Sequence, residues 1–335
     1  MSRVDNRTVD DDEAGMRLDR WFRSHFPALG HGQLQKLLRK GQIRLDGKRA
    51  KANDRIEAGQ SIRVPPLTDE AMQPRQRANS ARPGVSDEDL EMLSGCILHR
   101  DESVIVLNKP PGLAVQGGSG TSRHLDGMLD ALKSAKGERP RLVHRLDKDT
   151  SGVLILAATV KAARFLTAAF RTKDVRKLYW GLVAGVPEPL TGRIDLALSK
   201  SRVVDRSSGR EQMIPDLEDG KRAMTLYAVQ EHASRTLAWV AMEPLTGRTH
   251  QLRVHMAEIG TPIIGDGKYG GELAFPAIEG IDMSLHLHAV AVRFPHPGGG
   301  NLTVTAELPP HMQKSWKAFG FQASDHSYFD EWWAT

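Results

Sequence analysis

The sequence is poor in cysteine: Cys96 is the only one among 335 residues. A single cysteine excludes a disulfide within the chain, and it excludes zinc and iron–sulfur sites built from cysteine alone. Cys96 directly precedes the apolar pair Ile97-Leu98, which favours a buried structural thiol over a nucleophile. Such a composition suits a reducing compartment, and we expect a cytoplasmic protein.

Long apolar runs are also missing. No segment of the sequence approaches the roughly 20 apolar residues that a membrane-spanning helix needs, so we expect no membrane partner. The first residues carry the acidic run Asp10–Glu13 where a secretory signal would have an apolar core. We therefore predict that residues 1–14 are a disordered leader.

Positive charge is concentrated near the start of the chain. The net charge of the whole sequence is only +5, yet residues 15–66 contain twelve Lys and Arg against four Asp and Glu. A basic module on a nearly neutral body is typical of proteins that bind nucleic acid.

The basic segment has the pattern of a compact α+β unit over residues 15–66. Apolar residues between Met16 and Leu38 have helical spacing that is interrupted at Pro27, which predicts two short helices. Short strands around an Asp46-Gly47 turn follow.

Two strings in this unit, Arg17-Leu-Asp-Arg20 and the stretch from Leu37 to Lys48, resemble the small RNA-binding domain of the S4 class. The resemblance implies that the second helix and the turn after it face RNA. Phosphate contacts would then come from the basic residues Arg39, Lys40, Arg44, Lys48 and Arg49. On charge alone, a solvated basic face is an equally good interpretation.

Residues 67–94 are rich in Pro, Ser and charged residues, which indicates a linker. Residues 95–310 alternate short β-branched segments with Gly and Pro turns, and two stretches look helical, His124–Ala135 and Val160–Arg171. Many strands and few helices predict an α+β domain with a mixed, mainly antiparallel sheet. The aromatic-rich tail, residues 311–335, is expected to pack on this domain or on a partner.

A charge-dense loop stands out in the second domain, because it runs directly into the apolar strand that starts near Gly152. An ordinary Asx turn at Asp147 is one interpretation. A phosphatase-type phosphorylated aspartate is another, but Ser151 occupies the place where that motif has Thr or Val. A metal-dependent phosphohydrolase that uses Asp147 and Asp149 is thus a competing hypothesis.

The full string His144-Arg-Leu-Asp-Lys-Asp-Thr-Ser-Gly152 resembles the signature of the RluA-type pseudouridine synthases. In that family the aspartate of His-Arg-Leu-Asp is catalytic, which implies this role for Asp147. The resemblance also implies that Arg145 fills the space left by a flipped base, and it places His144 beside the substrate.

Two further segments carry the same resemblance. Arg176-Lys-Leu-Tyr-Trp180 is similar to the family's Lys-x-Tyr strand, which implies that Tyr179 packs on the target base and that Lys177 lies at the substrate. The string from Leu245 to His255 is similar to the third family motif, which implies that Arg253 pairs with Asp147.

The implied reaction moves uracil from an N1 to a C5 linkage on the sugar without redox change, so we expect no cofactor. It needs an ionised carboxylate, as nucleophile or as base. No metal site is expected either, because the pairs His250/His255 and His286/His288 lack the spacing and the acidic companion of a zinc site. We interpret these histidines as structural.

The arrangement of a basic module ahead of the synthase domain most resembles the large-subunit ribosomal enzymes. The stretches Lys48–Ala52 and Val64–Pro66 favour the RluC subgroup over the RluD subgroup. Ribosomal RNA of the large subunit is thus the expected partner, and a monomer is the expected state. The competing hypothesis from another class is a catalytically silent RNA-binding or ribosome-assembly factor.

Overall fold

The computed structural model describes residues 4–67, 85–117, 121–201 and 212–322. The chain divides into two compact units, one before residue 85 and one that begins at Val85. The elements of the first unit are β1 (Asp5–Thr8), α1 (Leu18–His25), α2 (His31–Arg39), β2 (Arg44–Leu45), β3 (Lys48–Arg49) and β4 (Ser61–Val64).

The first unit is a four-stranded antiparallel sheet, in the order β1-β4-β2-β3, with two helices packed on it. The apolar positions of α1 repeat at helical spacing, and Leu18, Trp21 and Phe22 are all buried. They form one core with Ile43 and Ile62. The two short helices therefore lie where the apolar spacing predicted them.

The predicted disordered leader is wrong for the residues that the structure describes. β1 pairs with β4 along its whole length, so its backbone groups find partners. Val9 is buried, and the carboxylate of Glu13 accepts a hydrogen bond from the Trp21 indole at 2.8 Å. The acidic run thus supplies a half-buried hydrogen-bond acceptor for the core, which its charge alone does not predict.

The second unit contains most of the chain. Its helices are α3 (Asp87–Gly95), α4 (Leu125–Met128), α5 (Val160–Thr172), α6 (Gln251–Glu258) and α7 (Pro310–Phe319). Its strands are β5 (Ile97–Arg100), β6 (Val104–Lys109), β7 (Arg141–Leu142), β8 (Ser151–Ala157), β9 (Arg176–Ala184), β10 (Thr191–Asp195), β11 (Leu198–Lys200), β12 (Met213–Pro215), β13 (Met224–Ala233), β14 (Leu237–Pro244), β15 (Leu287–Pro295) and β16 (Asn301–Thr305).

A ten-stranded mixed sheet organises this unit. Its main path is β10-β13-β14-β9-β15-β8-β6-β5, with β16 paired to β15 and β7 paired to β8. The β15–β8 pair is parallel, and the other pairs of this sheet are antiparallel. The predicted mixed, mainly antiparallel α+β fold is confirmed.

Gly152 allows the parallel pair to form. Its φ is +108°, and a Cβ atom built there would lie 2.2 Å from the carbonyl oxygen of Ala289. Only glycine tolerates both this backbone conformation and this close approach. The chain can therefore enter β8 directly from the loop that carries Asp147.

The linker predicted over residues 67–94 is wrong at both ends. Leu67 is buried in the core of the first unit, and α3 begins at Asp87 after Ser86 caps its N-terminus. Leu93 on α3 is buried among the apolar residues of the second unit. Residues 68–84 lie outside the described part of the chain.

Helices were predicted unevenly. The stretch Val160–Arg171 forms α5 as predicted, whereas the helix predicted over His124–Ala135 is only α4 followed by a short 3-10 turn, Leu129–Leu132. In the C-terminal segment, α7 buries Met312 and Trp316. The last four aromatic residues of the chain lie outside the described residues. Within the described part, no helix has the length and apolarity to cross a membrane.

Candidate active site

The loop from His144 to Thr150 joins β7 to β8 and carries the charged string. Leu146 and Thr150 are buried within it, whereas Arg145 is exposed and the Asp147 side chain is 22 % exposed. Buried anchors therefore alternate with side chains that face solvent, which presents Arg145 and Asp147 on a fixed backbone.

His144 anchors this loop to β8 and α5. Its Nε2 accepts a hydrogen bond from the backbone N–H of Ile155 at 2.8 Å, and its ring stacks on Phe170. Burial lowers the pKa of His144 to about 3, so the imidazole is neutral at physiological pH. His144 thus positions the loop through Nε2, and it also lines the cleft that contains Asp147, so its expected contact with the substrate stays a prediction.

Lys109 is a second anchor, and sequence reasoning missed it. This lysine is almost fully buried, and its Nζ donates to the carbonyl oxygens of Pro110 (2.8 Å), Leu113 (3.0 Å) and Lys148 (3.0 Å). It thereby ties the loop that carries Asp147 to the end of β6. Burial lowers the pKa of Lys109 to about 8, although the charges of Asp149 and Asp147 oppose the change.

The buried ammonium predicts a pH-dependent stability. The pKa of Lys109 is below its unfolded value of about 10.5, so the folded state binds fewer protons between these two pH values. Stability should therefore rise as the pH increases from 8 to 10, by about 2 kcal/mol from this group. The difference in unfolding free energy between wild type and Lys109→Met, measured with urea at pH 7 and 10, should grow by that amount. Lys148→Met, an exposed control, should show a pH-independent difference; growth of the same size there would contradict the assignment to Lys109.

Tyr179 and Lys177 lie two residues apart on β9 and so face the same side of the sheet. Both line a cleft of about 870 Å³ together with Asp147. Burial, with a smaller effect of Asp147, raises the pKa of the Tyr179 phenol, which keeps it protonated. Burial lowers the pKa of Lys177, while Glu243 acts in the opposite direction.

Arg253 lies on α6, which positions its side chain at the cleft. This helix was not predicted from the sequence. The Arg253 guanidinium makes a bidentate ion pair with the buried carboxylate of Asp266, at 2.8 and 2.6 Å. Burial alone would lower the pKa of Arg253, but the bonds to Asp266 raise it, and Asp147 adds a longer-range contribution. Asp266 binds Nε and Nη2 of Arg253, and the ion pairs of the described residues include none between Arg253 and Asp147, so the expected direct pairing stays a prediction.

His250 was interpreted from the sequence as a structural histidine, but its side chain lies close to Asp147. It precedes α6, and its Nε2 is 3.9 Å from the Asp147 Oδ1. The structural interpretation fits the buried pair His286 and His288, whose ring nitrogens contact Ser284, Ser315, Ser151 and Ala306. It is incomplete for His250, whose Nε2 faces the Asp147 carboxylate.

Two clefts meet at this point. The second one, of about 980 Å³, lies on the side of Gly112 and Lys268. The residues that line both clefts are Arg145, Leu146, Asp147, His250 and Arg253. The Asp147 carboxylate is therefore reachable from both sides. Among the described residues, no three His, Cys, Asp or Glu side chains are grouped as a metal ion would need.

Comparison with known proteins identifies the family to which this chain belongs. Residues 103–258 match the RNA pseudouridylate synthase family, and this span includes Asp147, Tyr179 and Arg253. The chain is 36 % identical over 313 residues to ribosomal large subunit pseudouridine synthase C of Vibrio cholerae, which covers 92 % of this chain and 94 % of the relative. It therefore belongs to the RNA pseudouridylate synthase family.

Other family members support this assignment. Ribosomal large subunit pseudouridine synthase C of Escherichia coli K12 is 36 % identical and covers 87 % of this chain and 88 % of its own. A solved structure of human RNA pseudouridylate synthase domain containing 4 superposes with a TM-score of 0.57 at 27 % identity, covering 70 % of this chain and 97 % of that chain. The predicted family, the similarity to the RluC subgroup and the predicted class of enzyme, an RNA pseudouridine synthase, are confirmed.

The five cations predicted to bind RNA, Arg39, Lys40, Arg44, Lys48 and Arg49, are all exposed in the first unit. Arg63, which the sequence prediction did not include, lies beside them in the sheet; it is half-buried and donates to the carbonyl oxygen of Gln42 at 2.7 Å. Arg44 lies opposite Arg63 on one side and opposite Arg49 on the other in the strand register. Directly opposed residues share a face of the sheet, so three guanidinium groups form a row there. The alternation of Arg63 with buried Ile62 and Val64 was the available signal.

Proposed function

We propose that this synthase isomerises specific uridines of large-subunit ribosomal RNA, with Asp147 as the essential carboxylate. The observation that carries the proposal is the position of Asp147, which lies between two clefts and shares the first of them with Tyr179. The ribosomal substrate is inferred from the names of the relatives and from the basic first unit.

In this proposal the flipped uracil enters the first cleft and stacks on Tyr179. Leaving the RNA stack costs a few kcal/mol, and an aromatic platform offsets part of it. A neutral phenol suits this role, because it adds no charge beside the Asp147 carboxylate. Exposed Arg145, at the mouth of both clefts, fills the place that the base has left.

Asp147 then acts on the sugar or on the base while the bond from C1′ to N1 breaks and a bond from C1′ to C5 forms. C5 loses its proton and N1 gains one, so the reaction is a net isomerisation. A nucleophile and a base both need the ionised carboxylate. Arg253, held by Asp266, supplies positive charge near Asp147 without occupying its oxygens. The carboxylate thus keeps its lone pairs for the substrate.

The decisive experiment maps pseudouridine in large-subunit ribosomal RNA from cells that lack the protein and from cells supplied with wild type or Asp147→Asn. We expect particular uridines to be modified only with wild type. Reaction of the purified protein on an rRNA transcript should proceed equally with EDTA present, since no step calls on a metal. Magnesium-dependent phosphatase activity of the purified protein would favour the phosphohydrolase hypothesis, and an unmodified RNA with wild type would contradict the proposed function.

RNA docking is assigned to the exposed cations of the first unit. Arg44 and Arg63 each donate to backbone carbonyl oxygens, and an RNA phosphate would offset the repulsion that remains between these opposed like charges. Arg39 and Lys40 extend the basic surface at the end of α2.

The double variant Arg39→Gln/Lys40→Gln should therefore bind RNA more weakly and with a flatter salt dependence. Each lost phosphate contact reduces the slope of log K against log salt by about 0.7–0.9. The matched control is Lys314→Gln/Lys317→Gln on α7, two exposed lysines of the second unit. Titrations of rRNA transcript at several salt concentrations should show equal slopes for this control and wild type. Equal slopes for all three proteins would remove Arg39 and Lys40 from the docking surface.

A further inference from the structure

His250 has an unusual backbone for a residue with a side chain. Its φ is +53°, in the left-handed region, at the residue that precedes α6. A non-glycine residue in this region costs about 1 kcal/mol or more and persists where the surroundings demand it. The surroundings here are the polar contacts of the adjacent Gln251, whose side chain bonds to Thr246, Met224 and Thr225.

The imidazole of His250 is held by Tyr269. Its Nδ1 lies 2.6 Å from the Tyr269 hydroxyl, and that hydroxyl already accepts a hydrogen bond from the backbone N–H of Met213 at 3.2 Å. The hydroxyl hydrogen is therefore available to donate to Nδ1. This arrangement leaves Nδ1 as the acceptor and places the ring proton on Nε2.

The protonated Nε2 faces the reaction centre, with the Asp147 Oδ1 at 3.9 Å. Burial lowers the pKa of His250 to about 4; Asp147 and Asp266 oppose the change, and Arg253 and Lys268 add to it. The ring is therefore a neutral donor at physiological pH. It lines both clefts, so a substrate in either one approaches it.

We propose that His250 is a positioning residue that donates its Nε2–H to the Asp147 carboxylate when RNA occupies the site, with Tyr269 fixing the tautomer. The proposal rests on the proposed function, in which Asp147 is the essential group. A distance of 3.9 Å is longer than a hydrogen bond, and such contacts commonly tighten when substrate binds. The donated bond would hold one carboxylate oxygen, so that the other is aimed at the substrate.

The test compares two amides at position 250. In His250→Gln the amide nitrogen reaches as far as Nε2 does, whereas in His250→Asn it reaches only as far as Nδ1. We expect kcat on an rRNA transcript to stay within about threefold of wild type for His250→Gln and to fall about 10- to 100-fold for His250→Asn, as for loss of a hydrogen bond to a charged group. The RNA dissociation constant should be unchanged in both.

A purely structural role predicts the opposite order. Asn tolerates the left-handed backbone better than Gln, so His250→Asn should then be the more stable and more active variant. That order, or wild-type kcat in both variants, would overturn the proposal. The pH profile is a further readout: kcat of wild type should be flat between pH 6 and 8, and a titration near pH 6.5 that disappears in His250→Gln would show a proton-transferring group instead.

Tyr269→Phe keeps the proposal testable if both variants at position 250 fold poorly. Alone, it should lower kcat as the tautomer is released and leave the RNA dissociation constant unchanged; a wild-type kcat in Tyr269→Phe would overturn the proposal. Where His250→Asn does fold, the double variant should show little further loss, because both changes remove one interaction. Fully additive losses would overturn the proposed link. An inactive wild type or an active Asp147→Asn would contradict the proposed function itself. If wild type is active, Asp147→Asn is inactive and the His250 variants keep the wild-type kcat, only the inference about His250 is contradicted.

Discussion

Asp147→Asn is expected to lower kcat for pseudouridine formation by about 10⁴-fold or more, with little change in RNA affinity. The amide has the shape of the carboxylate but can serve neither as the nucleophile nor as the base. The side chain is 22 % exposed and is anchored by its buried neighbours Leu146 and Thr150, so the loop should keep its conformation. Single-turnover rates on an rRNA transcript, with binding measured in parallel, provide the measurement.

The matched control is Asp149→Asn. Asp149 is in the same loop and lines the second cleft, but it does not line the cleft of Tyr179. Its replacement should change kcat by less than about tenfold. A comparable loss of kcat in the two variants would indicate that any Asp→Asn change in this loop impairs the enzyme. The result would then contradict a distinct role for Asp147.

Asp266→Asn is expected to destabilise the second unit by about 3–5 kcal/mol, because it leaves the Arg253 guanidinium buried beside a neutral partner. The amide oxygen can still accept the backbone hydrogen bonds that Lys268 and Tyr269 donate to Asp266. The substitution therefore isolates the ion pair from the turn. Urea unfolding of the full chain measures the loss.

Asp282→Asn serves as the control for this prediction. Asp282 accepts a backbone hydrogen bond from Ser284 at 2.7 Å in a comparable turn, so the change of group is the same. We expect a loss of less than about 1 kcal/mol there. A similarly small loss in Asp266→Asn would mean that Arg253 finds another partner, and Asp147 is the carboxylate within its electrostatic reach.

Local patterns predicted the mixed, mainly antiparallel character of the second unit. The apolar run that starts near Gly152 and the stretch Val160–Arg171 were enough to locate β8 and α5, because burial on one or both faces leaves a direct record in the sequence. The motif loop could be located for a similar reason, since a charged string that enters an apolar strand is a local feature.

The features that failed depend on contacts between distant residues. β1 carries no apolar alternation and exists because β4, more than fifty residues later, offers it an edge. The pairing of Arg253 with Asp266 depends on the turn that follows residue 264, and the three acceptors of Lys109 are backbone carbonyls. Every residue has a backbone carbonyl group, so no sequence motif identifies the ones that accept hydrogen bonds from Lys109.

The alternation of buried and exposed residues in the catalytic loop also governs how this string can drift during evolution. His144, Leu146 and Thr150 are held by packing and backbone hydrogen bonds, whereas Asp147 is the residue proposed to act on the uridine. A duplicated gene that kept its fold but lost selection for catalysis could change Asp147 freely while the other three letters stayed. A sequence that keeps those three residues therefore indicates that the fold is under selection. The residue at position 147 is the one that distinguishes an active enzyme from an inactive homologue.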